Sequence, residues 1–305
     1  MKTTTCAAAF GIMLLLAGTA WADRIIAHAM GETKVPDAPE QIVTLTNETT
    51  ETALAIGIVP VGATSSWYGN PWYPHLGDRM SSVAEVGTEL AVNLEAVAVL
   101  EPDLIIGSRK RDEEIYDQLS AIAPTVLIDG IGDWEDNFSF VAGALGKDEE
   151  GAEALATYTD RVAALRESLG PRKSENLSVV RFVPGQIYLY QAGSFLGHVL
   201  ADVGFTRPSP QDEDGLAIAV GTESIPDMDG DKLISLTYDT GDGKGHDLAD
   251  TVLADPLWAQ LDVVQSGNAY HVDDGVWATA GGYFAAHAML DDLARIYNVD
   301  LPPAE

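Results

Sequence analysis

The stretch EEGAEALATYTDRVAALRESL, Glu149 to Leu169, decides how the chain is organised. Leu155, Tyr158, Val162, Leu165 and Leu169 recur at spacings of three and four, which places them on one stripe of a helix. At 1.5 Å per residue such a helix is about 31 Å long. Gly170 and Pro171 follow and mark its end. The segments on either side have a different rhythm, and the helix separates them.

Before it, short apolar runs alternate with helical patterns. QIVTL (41–45), VPVGAT (59–64), PDLIIG (102–107) and TVLI (125–128) read as buried strands. ETTETALAIG, NLEAVAVL and DEEIYDQLSAIA read as helices, and residues 23 to 40 as a polar segment. After the helix, LSVVRFV, IYLYQ, LISL and NAYHV read as strands, SFLGHVLADVG and GGYFAAHAMLDDLARIY as helices. This alternation predicts an α/β fold with parallel sheets. We expect two Rossmann-like lobes, 23–147 and 171–305, joined by one long helix over 148–170, with a ligand cleft between the lobes.

The first 22 residues stand apart. Lys2 supplies a short positive region, Ala7 to Ala17 an apolar run, and Ala20-Trp21-Ala22 the small residues a signal peptidase needs. This reads as a cleaved export signal rather than a membrane anchor. The single cysteine, Cys6, precedes the apolar run, where a lipid anchor would need it to follow. The mature chain of 283 residues is therefore expected to be cysteine-free, unlipidated and exported. Asp and Glu number 47 against 17 Lys and Arg, a net charge of −30 that becomes −31 once Lys2 is removed. Such a field repels nucleic acid and anionic membrane surfaces. With 46% hydrophobic residues the chain is not of disordered composition.

Catalytic signatures are scarce. AGSFLG lacks the spacing of a nucleophile elbow, and GDGKGHD lacks that of a phosphate-binding loop. DMDGDK, Asp227 to Lys232, has its glycine too early for a calcium loop and reads as a solvated acidic turn. The six histidines are scattered without metal-ligand spacing.

Other residues point to binding. SSWYGNPWYPH, Ser65 to His75, sets four large rings on a loop in a chain only 8% aromatic. It follows a strand, at the sheet edge where open α/β proteins bind ligands. Trp67 and Tyr68 are candidates for a ligand wall there, while Trp72 and Tyr73 could pack back on the lobe. SRKRDEE places Arg109, Lys110 and Arg111 after another strand, either as an anion site or as a face paired with Asp112, Glu113 and Glu114. Arg181, inside an apolar strand, needs a partner, either a protein carboxylate or a ligand anion. Trp277 is a cleft wall or a lobe-packing residue. Asn93 is a candidate N-cap that puts Glu95 in a first helical turn, and Glu223 lies near another helix start. Either acid could simply satisfy a helix dipole. One in each half could equally contact a two-part partner.

QIVTL…ETALAIGIVPVGA, VGTELAVNLEAVAVLEPDLIIG, VVRFVPGQIYLYQAGSFLGHVLADVGFTRP and GVWATAGGYFAAHAMLDDL follow one another across nearly the whole mature chain. Together they resemble the periplasmic iron-siderophore binding proteins of ABC importers. The run NLE…L.PDLIIG is shared with cobalamin and haem binders, while RF, SFLG and GF.RP are most similar to hydroxamate and citrate-type members.

The resemblance implies a non-enzymatic, monomeric carrier that takes a ferric siderophore between its lobes and delivers it to an inner-membrane ABC permease. No cofactor and no protein ligand to the metal are implied, since the siderophore chelates the iron. The matching positions make Glu95 and Glu223 the permease-docking acids. They make Arg111, Arg181 and Trp277 cleft residues, with Tyr190 and Ser194 as further candidates. One departure stands out: Glu89, in GTE, occupies a position where some hydroxamate binders carry arginine. That shifts weight to the cluster 109–111 and to a citrate or carboxylate complex, because arginine pairs bidentately with carboxylate. The alternatives are a cobalamin or haem carrier, and a secreted metal-dependent hydrolase.

Overall fold

The computed structural model describes residues 23–130 and 133–304. The proposed export signal and Cys6 lie outside the described residues. Thirteen strands are present among those described. They are β1 (Asp23–His28), β2 (Gly31–Pro36), β3 (Ile42–Thr44), β4 (Gly62–Ser65), β5 (Ala84–Thr88), β6 (Ala91–Val92), β7 (Leu104–Ser108), β8 (Thr125–Ile128), β9 (Leu177–Val183), β10 (Gln186–Tyr190), β11 (Ala217–Val220), β12 (Lys232–Thr237) and β13 (Ala269–His271). The helices are α1 (Asn47–Ala55), α2 (Leu94–Val99), α3 (Arg109–Asp112), α4 (Tyr116–Ile122), α5 (Trp134–Ala144), α6 (Asp148–Leu169), α7 (Phe195–Val203), α8 (Lys244–Leu253), α9 (Asp262–Gln265) and α10 (Tyr283–Tyr297).

The first lobe is built on a six-stranded sheet in the order β6-β5-β4-β3-β7-β8. Every pairing in it is parallel except β5–β6. Strands β3, β4, β7 and β8 are buried throughout, as expected when both faces are covered. The second lobe carries the order β11-β10-β9-β12-β13. Here β9, β12 and β13 run parallel, while β10 and β11 add an antiparallel edge. That lobe's sheet is thus mixed.

The segment read as polar from residue 23 is an antiparallel hairpin, β1–β2. Just past β1, Ala29 N donates to Leu127 O of β8 at 3.1 Å. Its strands are half-exposed and charged, with Lys34 paired to Asp23, which hid their alternation in the sequence.

Between the lobes runs α6. Tyr158, Val162, Leu165 and Leu169 of the expected stripe are buried and Leu155 partly so. Arg161 is buried on the same helix, donating to Pro302 O and to His287 Nδ1 and pairing with Asp291 of α10. One apolar cluster takes in residues of both sheets, α5, α6, α7 and α10, so the lobes share a core instead of meeting at a wet seam. Burial on that scale opposes large opening motions, since apolar surface costs about 25 cal/mol per Å² to expose.

Candidate functional site

A cavity of about 440 Å³ lies between the lobes. Its first wall comes from the carboxyl edge of the six-stranded sheet, where loops after parallel strands converge. Thr46 and Glu48 follow β3, Trp67 follows β4, Glu89 follows β5 and Arg111 follows β7. Opposite them stand Arg181 of β9, Tyr190 of β10, Ser194, Tyr238 after β12, and Trp277 to Gly281 after β13.

Each side chain is placed by local structure. Ser108 ends β7 and its backbone N–H donates to Asp112 Oδ2 at 2.8 Å, so the acid folds back over the turn of α3. A Cβ at Gly107 would lie 2.4 Å from that oxygen, which is why glycine stands there. Burial pushes the Asp112 carboxyl up to about 6, against the Ser108 hydrogen bond. The turn swings Arg111 over the Trp67 ring, 5.3 Å from its centre. Arg111 Nε is 3.6 Å from Glu89 Oε2, beyond hydrogen-bond reach, and has no hydrogen-bond partner among the described residues. Arg111 thus forms a long ion pair with Glu89 and no hydrogen bond to it. Glu89 itself is committed elsewhere: its Oε1 accepts from Asn47 N at 2.8 Å and from Asn47 Nδ2 at 2.6 Å at the start of α1.

Arg181 is held differently. Its Nε and a terminal nitrogen donate to Asp274 Oδ1 and Oδ2 at 2.5 and 2.7 Å, and its other terminal nitrogen donates to the Tyr190 hydroxyl at 2.8 Å. Tyr238 lies beneath the guanidinium, 5.1 Å from it. Burial favours the neutral guanidine, but Tyr190 and Asp274 outweigh it and hold Arg181 protonated. The partner left open by the sequence is thus a protein carboxylate.

Trp277 is fully buried, with Nε1 donating to Asp292 Oδ2 at 2.9 Å, and it also lines the cavity. Packing and wall are one role here. Tyr190 and Ser194 line the cavity as well.

Two candidate ligand contacts fall outside it. Arg109 points to the surface and pairs with Asp129, because successive residues of the short helix α3 face different directions. Tyr68 reaches across to the second lobe, where its hydroxyl donates to Asp273 Oδ1 at 2.6 Å. Of the four rings in the aromatic loop, only Trp67 lines the cavity. Tyr73 is buried, edge-on to Tyr68 and stacked on His75. His75 Nε2 lies 2.7 Å from Glu51 Oε1, and Glu51 Oε2 accepts from Ala285 N at 3.0 Å in the first turn of α10.

Glu95 and Glu223 are exposed, one on each lobe. Asn93 caps α2 through Ala96 N at 3.1 Å, and Val99, four residues after Glu95, is 82% exposed on the same side. The acidic turn at 227–232 is structural. Asp229 accepts from the N–H groups of Asp262 and Val263 at the start of α9. No group of three or more metal-ligating side chains occurs among the described residues.

Sequence reasoning missed Glu48, Tyr238 and Asp274. The rule that picked out Arg111, position after a parallel strand, also applies to Glu48 after β3 and Tyr238 after β12. Asp274 is 93 residues from Arg181, and no local pattern joins them.

The family model described as periplasmic binding protein matches residues 42–275. A probable siderophore-binding lipoprotein of Bacillus subtilis, YfiY, is 46% identical over 90% of this chain and 87% of its own length. An achromobactin-binding periplasmic protein of Dickeya dadantii is 30% identical over 86% and 87% respectively. The crystal structure of Staphylococcus aureus SirA complexed with staphyloferrin B superposes with a TM-score of 0.84 at 32% identity, covering 91% of this chain and 99% of that one.

Proposed function

The chain belongs to the periplasmic binding protein family, and from that premise we propose that it captures an anionic ferric siderophore between its lobes and hands it to an ABC permease. The observation that carries the reading is the cavity wall in which Arg111 lies over the Trp67 ring and is paired only at 3.6 Å with Glu89, too far for a hydrogen bond. A cation over an aromatic face suits a bulky chelate whose rim bears carboxylate oxygens, with the guanidinium pairing to the oxygens and the ring packing on the ligand body. The relatives named for siderophores support the same ligand class.

The family consists of binding proteins, and we read this member as a non-catalytic, monomeric carrier of the periplasm. No described helix is long and apolar enough to cross a membrane. Glu95 and Glu223 are assigned as the acids that meet the permease, one from each lobe. Trp67, Arg111, Arg181, Tyr190 and Trp277 are assigned to the ligand wall.

Tryptophan fluorescence tests the reading, because Trp67 and Trp277 both line the cavity. Titration with ferric staphyloferrin B and ferric citrate should quench saturably at one site, while haem and cobalamin should not. Saturation by haem or cobalamin alone would overturn the assignment.

A further inference from the structure

Glu48 sits in the first turn of α1 and lines the cavity while being only 8% exposed. Its Oε1 accepts from Asn137 Nδ2 at 2.8 Å. No hydrogen bond to its Oε2 is present among the described residues. The helix terminus does not require a second anion. Thr46 and Thr49 form a reciprocal cap, and Glu89 accepts from Asn47 N. Around Glu48 stand carboxylates: Glu51 on its own helix, paired with His75; Glu89 after β5; and Asp133 at the start of α5, with His198 3.7 Å away. Arg111 lies 3.6 Å from Glu89, and Arg181 is held by Asp274. A buried carboxyl with one neutral donor and like charges nearby keeps its proton, because both burial and repulsion penalise the ionised form. The physical balance pushes Glu48 up to about 8, with burial the main cause.

We propose that Glu48 is a specificity-determining residue of the cleft, whose protonated carboxyl donates a hydrogen bond to an anionic oxygen of the ferric chelate. The inference rests on the siderophore reading and deepens it. Arg111 supplies charge to one carboxylate of the ligand, and Glu48 adds a neutral donor on the same wall. Ionisation of Glu48 would both remove the donor and place a negative charge against an anionic ligand.

The test compares the wild type with Glu48→Gln, which keeps a donor and cannot ionise, and Glu48→Ala, which lacks one. Affinity for ferric staphyloferrin B and ferric citrate is read by tryptophan quenching between pH 6.5 and 9. Dividing by the Glu48→Gln values removes the chelate's own pH dependence. The wild type should lose about tenfold in affinity from pH 7 to 9 relative to Glu48→Gln, one decade for the unit above the transition. At pH 7, Glu48→Ala should bind more weakly than Glu48→Gln. Carboxyl carbon NMR of the unliganded protein, with the resonance assigned by its loss in Glu48→Gln, should show a midpoint well above that of an ordinary glutamate. Parallel pH profiles, or an ordinary midpoint, would overturn the inference while leaving the siderophore reading standing. Failure of every ferric probe to bind at any pH would instead refute that reading, and the inference with it.

Discussion

The Tyr68 hydroxyl donates to Asp273 Oδ1 at 2.6 Å, joining the aromatic loop of the first lobe to the loop after β13 of the second. The next residue, Asp274, holds Arg181 in the cavity wall. Two adjacent acids thus link the lobe contact and the cavity wall. Gly275 completes the arrangement, since a Cβ there would lie 2.1 Å from the Tyr68 hydroxyl oxygen.

Removing the Tyr68 hydroxyl tests this contact. Tyr68→Phe keeps the ring against Tyr73 and should cost about 0.5–1.5 kcal/mol, the ordinary worth of one hydrogen bond. Gly275→Ala should cost more, because the tyrosine must move as well. Urea unfolding measures both. A Gly275→Ala protein as stable as the wild type would show that the loops do not meet this closely.

The Arg181–Asp274 pair makes a second prediction. A buried pair broken from one side leaves an uncompensated charge, which costs about 3–5 kcal/mol. Asp274→Ala should therefore unfold at lower urea concentration. It should nevertheless bind an anionic ferric chelate more tightly once folded, because Arg181 is freed for the ligand. Unchanged stability together with weakened binding would contradict the description of Asp274 as Arg181's partner.

Docking is separable from capture. Glu95→Ala combined with Glu223→Ala changes two exposed side chains remote from the cavity lining. Siderophore affinity should stay within twofold while iron uptake through the importer falls by at least tenfold. Loss of affinity in the double variant would remove both residues from a docking role.

The contact between α6 and α10 should be sensitive to acid. Arg161 donates to His287 Nδ1 at 2.9 Å, so the His287 proton resides on Nε2, which is buried without a partner among the described residues. Burial, with Arg161 adding to it, lowers His287 to about 4. The folded state therefore resists a proton that the unfolded chain takes up near 6.5. The stability this group contributes is complete above 6.5 and is lost as pH falls toward 4, by at most about 1.4 kcal/mol per pH unit. Thermal melts should show the wild type losing more stability than His287→Gln over that window and no more above it. Equal acid slopes would contradict this account.

The long helix was legible because its stripe is nearly all apolar and its stop signals are strong. The parallel strands were legible because strands buried on both faces read as continuous apolar runs. The hairpin β1–β2 was not, since charged residues at half-exposed positions blur a period of two. In the site, Arg111 and Trp67 could be found from their places after strands, and both line the cavity. Arg109 and Tyr68 share those loops but face elsewhere, because neighbouring residues in a turn diverge and only packing decides their direction. The roles of Asp273 and Asp274 depend on contacts across 205 and 93 residues, which no local pattern encodes.

The central claim is that the cavity between the lobes receives the ferric chelate against Arg111 and Trp67. A crystal structure of the chain with ferric staphyloferrin B tests it most directly. The account predicts the iron complex in that cavity, a ligand oxygen within hydrogen-bonding distance of the Arg111 guanidinium, and the Trp67 ring packed on the ligand. A complex seated outside the cavity, with Arg111 still facing only Glu89, would contradict it.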